Sequence, residues 1–89
     1  MTTVEIKVGR QTRPNRHMAE ALTALEQDSI VVLAGINWAI ANTIKVAELC
    51  KMKKPELHQV AVLETVEENK VRFSVTLTIS EPEEKALGY

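Results

Sequence analysis

The sequence has a single cysteine, Cys50, in 89 residues. A lone thiol cannot close an internal disulfide, which excludes the stapled scaffold of a small secreted domain. Its three glycines, Gly9, Gly35 and Gly88, are scattered, and none falls in the spacing of a phosphate-cradling loop. Aromatic residues are limited to Trp38, Phe73 and Tyr89, so the core must be built from Val, Ile, Leu and Ala. No long apolar run is present. The longest mostly apolar stretch, residues 30–44, is interrupted by Gly35, Asn37, Asn42 and Thr43, and is too short and too polar to span a membrane. The opening MTTVEIKVGR lacks the apolar segment of a signal peptide. A soluble, cytoplasmic protein of one domain is the expectation.

A strong net charge is also missing: the total is −1. Its distribution is uneven. Residues 1–55 carry eight Lys/Arg against five Asp/Glu, whereas residues 56–89 carry three against seven. A basic face built from the first part fits this asymmetry; so does an ordinary patchy surface.

What is there is periodicity. Val4, Ile6 and Val8 alternate with Glu5 and Lys7, which predicts a short strand with one buried face. Met18, Ala21, Leu22 and Leu25 form one helical stripe, with Pro14 at the entrance, Asn15 as N-cap and an end near Glu26. The β-branched run over residues 29–34 predicts a covered strand. Gly35 to Asn37 should turn the chain, and Asn37 should cap a second helix over about residues 38–52, stopped by Pro55. Residues 57–64 predict a third strand. Val71, Phe73, Val75, Leu77 and Ile79 alternate strictly and predict a fourth, joined to the third by the polar connection TVEENK. The order β-α-β-α-β-β implies an α+β fold: two layers, a four-stranded mixed sheet, both helices on one face. Residues 81–89 read as a polar tail to this single domain, 1–89.

Catalytic chemistry finds little support. His17, Cys50 and His58 match no zinc spacing, and Cys50 on an apolar helix face reads as a small core residue. Glu64, Glu67 and Glu68 cluster where a solvated turn explains them. No nucleophile elbow or placed acid–base pair is present, so no enzyme activity, metal, cofactor or small-molecule substrate is expected. The positive signal is GRQTRPNRH, residues 9–17, which sets Arg10, Arg13, Arg16 and His17 at a helix entrance with no acid among them. Guanidinium forks match phosphate oxygens in pairs, and helix N-terminal amides favour anions. Such a loop would read nucleic-acid backbone, not sequence. The competing reading is a solvated loop whose arginines pair with Glu5 or Glu20.

Four stretches together resemble the Alba family of small archaeal chromatin proteins. They are Arg13-Pro14, Ala21-Leu22-Thr23, Ile30-Val31-Val32, and Asn37-Trp38-Ala39-Ile40-Ala41-Asn42-Thr43-Ile44. The corresponding family segments read roughly Gly-Lys-Lys-Pro, Ala-Leu-Thr, Ile-Val-Ile and Gly-Arg-Ala-Ile-Ser-Lys-Ala-Val, and the resemblance covers most of residues 4–80. It implies a dimer that binds DNA or RNA through backbone contacts, nucleoid-associated if DNA is the target. The family's phosphate-binding lysines precede its proline. Arg13 holds that place here, with Arg10, Asn15 and Arg16 nearby, and an arginine would escape the acetylation that weakens binding through the family lysine. Asn37, Trp38, Lys45, Lys53, Lys54, Lys70 and Arg72 complete the candidate contact set.

This chain also departs from the family pattern. Basic residues before the family's second helix are replaced by residues 34–38, Ala-Gly-Ile-Asn-Trp, and its long basic hairpin is reduced to TVEENK. A dimer would then engage about four to six phosphates, with a slope of log affinity against log salt of about −4 to −5 on duplex DNA. The lost charges also favour an alternative: an interaction protein of the same fold with little nucleic-acid affinity, working through a partner subunit or a ribonucleoprotein. Trp38 has two readings, a platform for an unpaired base or a buried or interface tryptophan capping the apolar face of the second helix. Sequence alone favours the buried one, because lone tryptophans are mostly covered. The wide apolar stripe of the second helix predicts pairing, with itself or a paralogue, through that helix and the last strands.

Overall fold

The computed structural model describes residues 2–79. Its elements are β1 (Thr3–Lys7), α1 (Pro14–Glu26), β2 (Ile30–Ile36), a 3-10 turn (Asn37–Ala39), α2 (Ile40–Lys53), β3 (His58–Glu67) and β4 (Lys70–Thr78). The sheet order is β1-β2-β4-β3. β1 and β2 are parallel; β2–β4 and β4–β3 are antiparallel. α1 and α2 cover one face, so the predicted α+β architecture is the observed one. The predicted polar tail, 81–89, lies outside the described residues.

Period-two alternation places Val4, Ile6 and Val8, then Val31 and Leu33, then Val75 and Leu77 against the helices. Ala21, Ala24 and Leu25 from α1 and Val46, Ala47 and Cys50 from α2 close the core from above. The core is aliphatic, as the shortage of aromatics requires; Phe73 packs at its edge. Burial pushes the Cys50 thiol up to about 11, so it behaves as a small apolar side chain. No helix among the described residues is long and apolar enough to cross a membrane.

Several local expectations are corrected. The N-cap of α1 is Arg13, in an extended conformation (φ −83, ψ 116), and no side chain caps the helix. Pro14 forces its predecessor out of the helical region, so the boundary falls before it and Asn15 is already helical. β2 runs on through Gly35 and Ile36, which pair with Phe73 and Arg72. The chain turns only at Asn37, whose φ is 50. Asn37 does not cap α2; a 3-10 turn intervenes, and α2 starts at Ile40. β3 extends three residues past its predicted end, because Thr65 to Glu67 join the ladder with an irregular register. Only Glu68 and Asn69 form the turn, with Asn69 at φ 67.

Gly35 faces α2 where a Cβ has no room. One added there would lie 2.1 Å from the Thr43 hydroxyl and 2.8 Å from the Ala39 carbonyl oxygen. The hydroxyl donates to that same carbonyl at 2.9 Å. At the far end of α1, Asp28 adopts φ 59, and the amides of Asp28 and Ser29 donate to Leu25 and Ala24 carbonyls at 3.1 Å each. That is a Schellman closure with aspartate in the position glycine favours.

Two substitutions should therefore move stability in opposite directions. Gly35→Ala should cost about 2 kcal/mol or more, because the clash includes backbone that cannot rotate away. Asp28→Gly should gain up to about 1 kcal/mol by relieving the left-handed conformation. Urea unfolding midpoints at constant slope measure both.

Candidate nucleic-acid interface

β1 and β2 run parallel, so both deliver the chain to the same end of the molecule. The loop into α1 and the turn into α2 lie there, and both helix N-termini point that way. Neither helix carries an acid in its first turn. The partial positive charge of each terminus is therefore uncompensated locally. The hairpin turn reaches the same end: the Asn37 amide donates to the Asn69 carbonyl at 3.2 Å, and its oxygen accepts from the Val71 amide at 2.8 Å.

The arginine loop is held from inside. The Gly9 amide donates to the Thr12 hydroxyl at 3.0 Å, and that hydroxyl returns a bond to the Gly9 carbonyl at 2.9 Å. The Asn42 amide, from the first turn of α2, donates to the Gly9 carbonyl at 3.1 Å and the Arg10 carbonyl at 2.6 Å. Carbonyls thus turn towards α2, while Arg10, Arg13 and Arg16 are exposed. The expected pairing with acids is slight. Arg16 approaches Glu20 at 3.8 Å with its side chain 83% exposed, a contact of marginal strength. Glu5 pairs elsewhere. Asn42 was not among the sequence candidates. Its only signal is a polar residue interrupting an apolar helix, and the bonds that matter run to residues over thirty positions away.

The remaining candidates divide. Asn15, Asn37 and Trp38 join the arginines at this end, and Lys45 follows one turn along α2, exposed. Arg72 sits on the helix-free sheet face, donating to Glu64 at 3.1 Å and approaching Glu5 at 3.5 Å. With Lys7 and Ile36 it borders an open cleft of about 300 Å³. Lys70 lies 3.6 Å from Glu67. Both hairpin cations therefore have carboxylate partners. Lys53 and Lys54 end α2 at the opposite pole, about 20 Å from the arginine loop along the helix axis. The buried reading of Trp38 is overturned for the single chain: the residue is 79% exposed. Among the described residues, no group of three His, Cys, Asp or Glu is placed to hold a metal ion.

Residues 4–67 match the model of the Alba family. Among solved structures, Alba from Thermoplasma volcanium superposes with a TM-score of 0.61 at 15% identity, covering 83% of this chain and 98% of that one. At that identity the likeness carries the fold. No curated protein matches the sequence significantly.

Asn42→Ala should free the loop without unfolding the domain. Two hydrogen bonds, together worth about 1–2 kcal/mol, would be lost. Amide exchange at Gly9 should accelerate while core amides such as Leu33 keep their protection; equal acceleration at both would show that Asn42 supports the whole fold.

Proposed function

The chain belongs to the Alba family, and from that membership we propose that it is a sequence-independent DNA- or RNA-binding protein that grips backbone phosphates as a dimer. Family members typically bind nucleic acid. The observation that carries the reading to this chain is the arginine loop: three exposed guanidinium groups at a helix entrance, on a backbone pinned by Asn42 and Thr12. Arg10, Arg13 and Arg16 are the grip, Lys45 extends it, and Asn15 and Asn37 line its edges. Arg72 and Lys70 contribute little, being paired with acids.

Dimerisation has its own support. Ile44 on α2 and Leu63 on β3 are 42% and 65% exposed, and Leu63 pairs in register with Phe73. The stripe containing Ile44 lies on the β3 side of α2, where Gln59 donates to the Ala47 carbonyl and Lys51 to the Leu57 carbonyl. A second copy, or a paralogue, would cover this apolar strip.

The acid-paired hairpin favours one other reading, a subunit of the same fold with little nucleic-acid affinity that acts through a partner protein. One titration separates the two. Fluorescence anisotropy of labelled duplex DNA, single-stranded DNA and an RNA hairpin should show affinity falling roughly 250- to 1,000-fold between about 50 and 200 mM salt, for a dimer contacting about five phosphates. Changing Arg10, Arg13 and Arg16 together to Ala should abolish binding, and sedimentation at tens of micromolar should give a dimer. No binding to any probe at low salt would leave the partner-subunit reading.

A further inference from the structure

We propose that Trp38 is a stacking platform for an unpaired nucleobase, so that this protein prefers single-stranded nucleic acid over duplex. The inference rests on the phosphate-gripping reading above and adds the substrate class.

Trp38 is 79% exposed, and the residues on both sides of it are anchored. The preceding Asn37 holds φ 50 and exchanges two side-chain hydrogen bonds with the hairpin. The following Ala39 is buried, and its carbonyl accepts the Thr43 hydroxyl. A large apolar ring is thus held out in solvent on a fixed support. With the backbone already fixed, covering the ring orders only its two side-chain torsions.

Its neighbours indicate the ligand. Trp38 lies in the 3-10 turn that leads into α2, whose first turn carries Asn42, with Lys45 one turn further on. Asn42 is the residue that binds the Gly9 and Arg10 carbonyls. Trp38 therefore lies at the same end of the molecule as the support of the arginine loop and an exposed lysine. The apolar strip suited to a second copy runs through Ile40 and Ile44 on the β3 side of α2. A π-face at the same end as three exposed guanidinium groups fits a base whose flanking phosphates the arginines hold. A paired base is covered by its neighbours in the stack and offers no face to it.

Trp38 is the sole tryptophan, so its emission reports on itself. Oligo-deoxythymidine, oligo-uridine and a duplex of equal length are titrated into wild type, Trp38→Ala and Trp38→Phe, with anisotropy and tryptophan emission recorded together. Thermal melting and sedimentation check the fold and the oligomer of each variant. The proposal expects quenching of emission on binding either single strand. It expects a roughly 5- to 150-fold loss of single-strand affinity in Trp38→Ala, partial recovery in Trp38→Phe, and an unchanged duplex affinity. Equal losses on single strand and duplex would overturn it, as would binding without quenching. A wild-type dimer that becomes monomeric in Trp38→Ala would overturn it too, assigning the ring to the subunit interface. Wild type that binds no probe would fail the phosphate reading itself, a result distinct from binding that ignores Trp38.

Discussion

The contact on which the binding end depends is the approach of α2 to β2 at Gly35. No side chain separates the strand from the 3-10 turn there, and the Thr43 hydroxyl closes over the Ala39 carbonyl within the same gap. Two consequences follow from that seat. Asn42, one residue before Thr43, comes within reach of the arginine loop, and Asn37, two residues after Gly35, comes within reach of the hairpin turn. One close packing thus fixes three segments that are far apart in sequence. A methyl group at position 35 would lift the start of α2 and loosen all three.

The charge pattern shows how a chain of net charge −1 concentrates uncompensated positive charge at one end. Screening confines each exposed charge to about 8 Å at physiological ionic strength, so the total matters less than what stands nearby. Near the loop stand three arginines and two helix N-termini free of first-turn acids. Glu64 and Glu67 of the hairpin and Glu5 of β1 instead hold Arg72 and Lys70. Segregation, not excess, makes the electrostatics usable.

The elements with strict periodicity were legible in the sequence. Val4-Ile6-Val8 and Val71 to Leu77 alternate because one sheet face is covered, and the α1 stripe repeats because α1 lies on that face. Boundaries failed where a local rule met a longer-range bond. Asn37 looks like a helix cap, but its amide is taken by the hairpin. Gly35 looks like a turn residue, but it is a strand residue without a side chain because a helix lies against it. Asn15 looks like an N-cap, but the proline before it moves the boundary. The arginines of the candidate site were legible as a cluster; their support by Asn42 was not, since nothing local marks a bond spanning more than thirty residues. Lys53 and Lys54 joined the candidate set on charge alone, and helix length sets them apart from it.

For the proposed phosphate grip, a small number of contacts would make preorganisation decisive. Each guanidinium that must be ordered on binding subtracts from a small total, so a loop already closed by Thr12 and Asn42 retains more of what its arginines gain. The same reasoning bears on the ring at position 38. Stacking adds binding energy with no further phosphate and no dependence on net charge, and it discriminates by whether a base face is free. Hairpin cations tied to carboxylates would add little to a backbone grip along a duplex. On the proposed stacking, an exposed aromatic at the arginine end would offset that shortfall only on strands whose bases are unpaired.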